Sequence, residues 1–435
     1  MTSRRSVSRR RFLQTTAAAA LVGPTIITTS LRAGANRSAN DRVQLAFIGV
    51  GTMGRGHVRR FLGQGDVQVV AVCDVVAERR DDARRIVEEH YAKQTGQAEY
   101  KGCAVFNDFR ELLARPDIDA VVIATPDHWH ANPCVLAAKA KKDIYCEKPL
   151  THTIAQGRII IAAVRENKIV FQTGSQQRSE FGGKFRQAAE LVRNGRIGKV
   201  QTVHVGVSDP AIACDLTEQP VPEGTDWNLW LGPAALRPYN EELCPKGIHK
   251  HFPAWRRYRE FGGGGLADMG AHHFDIAQWA LDMDATGPVK IEPPAGDATT
   301  GLKFTYSNGI EMFHGGPSGC TFAGTDGKLY VDRGKIESTP AEILTTPFGD
   351  KDVRLYLSTD HARNWLDCLR TRQDPICPAE IGSRSASICH LGNIGYWLRR
   401  PLTWNPAQEH FVGDDEANKL LDYTMREPWM LSVPS

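Results

Sequence analysis

Val43-Gln44-Leu45-Ala46-Phe47-Ile48 is a short, largely apolar run, and it feeds directly into Gly49-Val50-Gly51-Thr52-Met53-Gly54, a G-x-G-x-x-G hexamer. Met53–Leu62 then reads as a helix. A strand, a glycine turn and a helix in that order make a site for a dinucleotide. Gly49 permits the tight turn, Gly51 lets the backbone approach a pyrophosphate, and Gly54 lets the helix sit close to the strand. The helix start, carrying Thr52 and Met53, turns free N–H groups and a partial positive charge towards the phosphates. The next strand, Val67–Cys73, ends at Asp74, twenty residues beyond Gly54. A carboxylate there accepts hydrogen bonds from both hydroxyls of an adenosine ribose and repels a 2′-phosphate. The spacing predicts NAD, with NADP less favoured although Arg79 and Arg80 stand nearby.

Outward from this stretch, strands and helices alternate. Ala77–Tyr91 is a charged helix, Ala104–Phe106 a short strand, Phe109–Ala114 a helix and Ala120–Ala124 a buried strand. Asn132–Ala140 is a helix, Asp143–Cys146 a strand, Ile154–Asn167 a helix and Val170–Thr173 a strand. Strands apolar throughout, separated by amphipathic helices, indicate a parallel sheet covered on both faces. Residues 41–174 are therefore expected to form a doubly wound α/β domain of Rossmann type.

After Gly174 the texture changes. A helix over Lys184–Asn194 and a strand over Val200–Val207 lead into a Pro-, Trp- and Gly-rich stretch from Asp209 to Gly264. So long an irregular segment reads as functional loops rather than linker. Residues 287–338 read as successive short strands with turns at Ser307-Asn308-Gly309, Thr325-Asp326-Gly327 and Arg333-Gly334, which predicts an open, mostly antiparallel sheet. Helices over His361–Arg372 and Ala379–Leu398 precede a Pro/Trp-rich tail. The expected division is a second α/β domain over 175–355, with 356–435 packing back on both domains.

Composition sets bounds on function. The chain has 435 residues, 41% hydrophobic and 24% charged, which excludes disordered and fibrous classes. The formal charge is +3, but residues 1–35 hold Arg4, Arg5, Arg9, Arg10, Arg11 and Arg32 and no acid. The remainder is thus slightly acidic and carries no electrostatic footprint for nucleic acid or anionic lipid. No apolar run reaches the ~18–20 residues needed to span a bilayer, so no integral membrane segment is expected. Ser8-Arg9-Arg10-Arg11-Phe12-Leu13-Gln14, the weakly apolar Thr15–Thr29 and Ala33-Gly34-Ala35 make a secretory signal. Its consecutive arginines followed by Phe-Leu resemble the twin-arginine type. The signal over 1–35 implies the twin-arginine export machinery as partner, export in the folded state, and a periplasmic or otherwise extracytoplasmic destination. Ten cysteines are scattered with no C-x-x-C pair, so they are expected to act as small hydrophobes, without a disulfide framework or structural zinc. His249, His251, His272 and His273 fit no common zinc spacing, and no metal is expected.

Three further segments combine titratable groups with chain geometry. Thr125-Pro126-Asp127-His128-Trp129-His130 follows a strand at its carboxyl end, where open α/β sheets bind ligands. Glu147-Lys148-Pro149 follows the next strand at the same edge. Thr125, Pro126, His130, Glu147 and Lys148 are accordingly expected to line the cofactor. In the second half, Gly262-Gly263-Gly264-Gly265 leads into Asp268, His272 and Asp275 on a helix running towards Leu281. The i, i+4 and i+7 spacing puts the three on one face.

With these segments the chain resembles the Gfo/Idh/MocA family, which includes glucose–fructose oxidoreductase and inositol dehydrogenase. The resemblance runs from about Arg42 to the final helices. It rests on the glycine hexamer, Thr125-Pro126…His130, Glu147-Lys148-Pro149 and the glycine run leading to Asp268…His272. It implies a Rossmann domain followed by an α/β domain whose open sheet mediates homo-oligomerisation. It also implies Lys148, Asp268 and His272 as the catalytic set, and a sugar or sugar derivative as the small-molecule substrate.

The residue types agree with alcohol oxidation. His272 is suited to take the alcohol proton at neutral pH, Asp268 to orient the imidazole or share the relay, and Lys148 to hydrogen-bond the hydroxyl and stabilise developing alkoxide. Gln176, Arg178, Trp255 and Arg256, together with Asp268 and His272, are candidates for substrate contact; Trp230, Tyr239, His249 and His251 lie in the same loop-rich stretches. Export outside the NAD-rich cytoplasm suits a tightly bound cofactor. Two other readings stay open on sequence grounds: an NAD-dependent glycosidase or lyase acting through a transient keto-sugar, and a non-catalytic binding module.

Overall fold

A computed structural model describes residues 42–431, so the expectations placed on residues 1–35 lie outside the described residues. The first half alternates β1 (Val43–Ile48), α1 (Thr52–Leu62), β2 (Val67–Cys73), α2 (Ala77–Thr95), β3 (Ala104–Phe106) and α3 (Phe109–Leu113). It continues with β4 (Ala120–Ile123), α4 (Ala131–Lys139), β5 (Asp143–Cys146), α5 (Ile154–Asn167) and β6 (Phe171–Thr173). The strands pair in the order β3-β2-β1-β4-β5-β6, every pair parallel. Leu45, Ala46, Phe47, Val121, Val122 and Ile123 are wholly buried, as expected of strands covered by helices on both faces. The order reverses between β1 and β4, so the loops after these two strands part and leave a crevice at the carboxyl edge.

The second half starts with α6 (Lys184–Arg193) and β7 (Val200–Gly206), then α7 (Trp227–Leu231), α8 (Gly264–Asp268) and α9 (Gly270–Ala280). β8 (Lys290–Glu292), β9 (Lys303–Thr305), β10 (Glu311–Gly324), β11 (Lys328–Val331) and β12 (Ile336–Thr339) follow. After them come α10 (Glu342–Thr345), α11 (His361–Thr371), α12 (Ala379–Leu398), β13 (Leu402–Asn405), β14 (His410–Phe411) and α13 (Asp415–Asn418). The strands make an antiparallel sheet in the order β12-β11-β10-β9-β8-β13-β14, with β7 alongside β10. Two features depart from the expectation. β10 is one fourteen-residue strand rather than a short one, crossing Gly315–Ser318 through register shifts against β7. The helix expected from the glycine run towards Leu281 is broken at Met269 into α8 and α9.

The last part of the chain belongs to both layers. α11 lays Trp365, fully buried, edge-on against Phe61 at 5.7 Å and Tyr145 at 5.7 Å in the core of the parallel sheet. Asp360 caps this helix by accepting from the Arg363 N–H at 2.9 Å. β13 pairs antiparallel with β8 and so extends the second sheet. α12 packs against both α5 and α9. All ten cysteines are free thiols, nine of them buried. No helix among the described residues is long and apolar enough to cross a membrane.

Candidate active site

Two adjoining clefts open at the carboxyl edge of the parallel sheet. The first is lined by Gly49, Gly51, Thr52, Met53, Asp74, Thr125 and Pro126. The three glycines of the hexamer differ in what confines them. Gly49 has φ +83°, and a Cβ there would sit 2.8 Å from the backbone of Ala124 and Thr125. A Cβ on Gly54 would meet the Gly49 carbonyl at 2.0 Å, so helix and turn touch here. A Cβ on Gly51 would meet nothing within 4 Å: it would project into the space where a pyrophosphate approaches the backbone. No side chain caps the start of α1, which leaves its first N–H groups facing the cleft.

Asp74 ends β2 on the cleft wall, its Oδ2 accepting from Val50 N–H and its Oδ1 from Val76 N–H, both at 2.9 Å. These bonds fix the carboxylate, and each oxygen keeps acceptor capacity for a ribose hydroxyl. The neighbouring arginines are engaged elsewhere. Arg79 donates to the carbonyls of Pro245 and Gly247, and Arg80 to Asn107 Oδ1 at 2.8 Å and the Asp74 carbonyl at 3.0 Å. The Thr125 hydroxyl, on the opposite lip, is buried without a hydrogen-bond partner among the described residues. An open glycine cradle, a fixed carboxylate and an orphaned hydroxyl fit a dinucleotide.

A strap over residues 245–253 forms the outer wall. Thr52 Oγ1 donates to the His251 carbonyl at 3.0 Å and Arg55 Nη2 to the His249 carbonyl at 2.6 Å. α1, through Thr52 and Arg55, and α2, through Arg79, thus both hold this loop of the second half.

Met53, Thr125, Phe252, Trp255 and Arg256 line both clefts. The second cleft adds Asp127, Glu147, Lys148, Gln176, Asp268, His272 and Arg333. Lys148 Nζ donates to Asp268 Oδ1 and to the Asp268 carbonyl, each at 2.7 Å. Burial alone would raise the Asp268 pKa, but the charges of Lys148 and Arg256 outweigh it and hold the carboxyl below its usual range. His272 is buried, and its Nδ1 has no hydrogen-bond partner among the described residues. Burial first, then the cations Lys148 and Arg333, push its pKa well below the ordinary value. The imidazole is therefore neutral at neutral pH and lines the second cleft, its Nδ1 buried without a partner. Asp127 behaves oppositely to Asp268: burial and then the Asp268 charge push its carboxyl well up, favouring the protonated form.

Glu147 supports the lysine from behind. Its Oε1 lies 2.7 Å from His57 Nε2 and accepts from Gln176 Nε2 at 2.7 Å. Burial opposes its ionisation, yet His57, Lys148 and Gln176 together hold its pKa down. His57 carried no local signal in the sequence; its role comes from α1 crossing the end of β5.

Some expected residues lie elsewhere. His130 lines neither cleft: it is buried with its ring nitrogens 2.8 Å from the Pro149 carbonyl and 3.0 Å from the Thr125 carbonyl, so it ties two cleft loops together rather than touching a cofactor. Arg178 lines neither cleft: it is buried and ion-paired with Asp275 at 2.8 Å and Asp284 at 2.7 Å. Asp275 consequently faces Arg178 and not the cleft. Asp268 pairs with Lys148, and no hydrogen bond joins it to His272 among the described residues, although both line the second cleft. Tyr239 is buried in the loop cluster, donating to the Cys244 carbonyl at 2.7 Å, whereas Trp230, stacked on Trp227 at 4.6 Å, lines the first cleft. His273 faces the sheet, with Nδ1 3.2 Å from the Gly206 carbonyl.

Comparison with known proteins agrees with this arrangement. Residues 43–175 match the family domain described as "Oxidoreductase family, NAD-binding Rossmann fold", and residues 211–431 match "Oxidoreductase family, C-terminal alpha/beta domain". Myo-inositol 2-dehydrogenase of Thermotoga maritima is 25% identical over 348 residues, covering 76% of this chain and 86% of that protein. The 1,5-anhydro-D-fructose reductase of Ensifer adhaerens is 25% identical over 261 residues, covering 57% of this chain and 66% of that protein. Among solved structures, the aldose-aldose oxidoreductase of Caulobacter crescentus superposes with TM-score 0.56 at 17% identity, covering 83% of this chain and 99% of the other. That likeness concerns the fold alone. Two matched domains in the right order, on either side of a cleft with a dinucleotide cradle, place the chain in one group: it belongs to the Gfo/Idh/MocA oxidoreductase family.

Proposed function

We propose that the protein is an exported, NAD-dependent oxidoreductase that oxidises or reduces a secondary alcohol of a sugar or polyol, with Lys148, Asp268 and His272 as its catalytic residues. The observation that carries this reading is the joint lining of one cleft by Lys148, Asp268 and His272, directly beside the dinucleotide cradle. The nicotinamide, when bound, supplies the hydride acceptor or donor. The chain positions and polarises the alcohol. The Lys148 ammonium, held by Asp268, donates to the reacting oxygen and stabilises developing alkoxide. The neutral His272 ring, which lines the cleft, accepts the proton released from the hydroxyl. Gln176, Trp255 and Arg256 contribute polar and aromatic surface for sugar hydroxyls and C–H faces. Asp74 favours NAD over NADP, because its fixed carboxylate repels a 2′-phosphate. The strap over 245–253 suits a cofactor held through many turnovers. Export by the twin-arginine route rests on residues 1–35, and homo-oligomerisation through the second sheet on family resemblance.

Two measurements on the purified protein test the reading. Denaturation followed by mass spectrometry of the released nucleotide is expected to yield NAD. Incubation with sugars and polyols is expected to give a keto product with stoichiometric reduced nicotinamide. Free sugar from a glycoside, with no net reduction, would replace this reaction by a redox-neutral cleavage.

A further inference from the structure

The turn between β11 and β12 reaches the mouth of the second cleft, where Arg333 joins His272 and Asp268 in the lining. Every carboxylate around this arginine is committed to another partner. Asp268 is paired with Lys148 at 2.7 Å, and Glu180 with Arg60 at 2.6 Å. The adjacent Asp332 accepts from the N–H groups of Gly334 and Lys335, both at 2.7 Å, and from the Tyr330 hydroxyl at 2.8 Å. No carboxylate among the described residues lies within ion-pair distance of Arg333. Its guanidinium is nonetheless positioned: Nε donates to Gln177 Oε1 at 3.2 Å, and Cζ sits 5.0 Å from the centroid of the Phe181 ring. Phe181 is itself held at φ +58°, followed by Gly182 at +69° and Gly183 at +72°. A left-handed phenylalanine is strained, and such strain persists where surrounding structure imposes it. Here it brings the ring beneath the guanidinium at the cleft mouth. With Nε engaged, the two Nη groups are left for a ligand, a fork suited to a carboxylate or phosphate.

We propose that Arg333 is a specificity-determining residue that binds an anionic group, a carboxylate or a phosphate, on the sugar whose alcohol reacts between Lys148 and His272. The inference rests on the oxidoreductase reading for which alcohol reacts, but not for where the anion binds. A substrate of this class spans the cleft, its reacting carbon at Lys148 and its charged end at the β11–β12 turn. The neutral parent sugar forgoes the charge-assisted bonds.

The test compares matched probes on the purified full chain: neutral aldoses, the corresponding uronates and aldonates, and the corresponding sugar phosphates. Binding is followed by tryptophan fluorescence, since Trp255 lines the cleft, and turnover by nicotinamide absorbance. The tightest-binding probe is expected to be anionic. Arg333→Met is expected to weaken it about ten-fold or more, Arg333→Lys to recover part of the loss, and both variants to melt like the parent. Charge-assisted hydrogen bonds of ~1.5–3 kcal/mol correspond to roughly that change. Preference for uronates and aldonates would make the group a carboxylate, and preference for sugar phosphates would make it a phosphate. A neutral sugar as the tightest ligand, no anionic probe bound, or unchanged anion binding in Arg333→Met would overturn the proposal. Arg333-dependent binding without any nicotinamide reduction would leave this proposal standing and remove the redox reading instead.

Discussion

Lys148 Nζ and Asp268 Oδ1 meet at 2.7 Å across the cleft, joining the loop after β5 of the parallel sheet to the end of α8 in the second half of the chain. The pair fixes the ammonium where the glycine cradle and the His272 ring converge. Asp268→Asn keeps the shape but removes the charge that restrains the lysine. It is expected to lower kcat/KM by roughly 10²-fold while leaving cofactor binding near the parent value. Steady-state kinetics alongside cofactor titration checks this; equal losses in both would make Asp268 a cofactor residue.

The hexamer glycines separate folding from binding. Gly51→Ala adds a Cβ that meets no protein atom, so its stability is expected within about 1 kcal/mol of the parent. The dinucleotide is expected to bind at least ~10-fold more weakly. Gly54→Ala drives a Cβ into the Gly49 carbonyl and is expected to destabilise the fold by about 1–3 kcal/mol. Chemical denaturation and cofactor titration of the two variants should show these opposite patterns.

Asp74 is expected to set cofactor choice. Asp74→Asn removes the negative charge and keeps the side chain's shape, at the loss of one of the two bonds accepted from the Val50 and Val76 N–H groups, since the amide has a single acceptor oxygen. The ratio of kcat/KM for NADP to that for NAD should rise roughly ten-fold, about 1.4 kcal/mol. An unchanged ratio would place cofactor selection elsewhere.

The strap links cofactor retention to Arg55, which donates to the His249 carbonyl at 2.6 Å. Arg55→Met is expected to raise the release rate of bound nucleotide about ten-fold, measured by ultrafiltration chase. Release at the parent rate would detach the strap from retention.

Buried histidines predict an acid-sensitive fold. Burial pushes His128 down to about 3, and His152, His273, His361 and His390 to about 4. Above the unfolded value near ~6.5 these rings are neutral in both states, and their titration has no effect on stability. Below it the unfolded chain binds more protons than the folded one, so stability is lost progressively down to about pH 4, and to about pH 3 for the contribution of His128. Denaturation midpoints should fall through that window, and His390→Asn should reduce the pH slope by about one proton.

The parallel half was legible because its strands are buried on both faces and therefore apolar throughout. Asp143–Cys146 and Ile154–Asn167 form with the expected bounds. Gly49, Asp74 and Lys148 were readable because short spacings fix them at one sheet edge. Arg178 was not: the carboxylates that neutralise it, Asp275 and Asp284, lie about a hundred residues away, and its polar neighbours look like any binding loop. His130 misled for a similar reason, since two backbone carbonyls satisfy it from different loops. β10 looked like separate strands because Gly315–Ser318 interrupts the alternation, yet β7 pairs on both sides of the interruption. Arg333 and His57 reach the cleft only through tertiary packing, which no local pattern encodes.

The most direct test mixes NAD-loaded protein with a sugar substrate in a single turnover and follows nicotinamide absorbance in the parent and in Lys148→Ala. The account predicts a rapid rise of reduced nicotinamide in the parent and a rate roughly 10³-fold lower in Lys148→Ala, with bound nucleotide unchanged. Equal rates in the two proteins would contradict it.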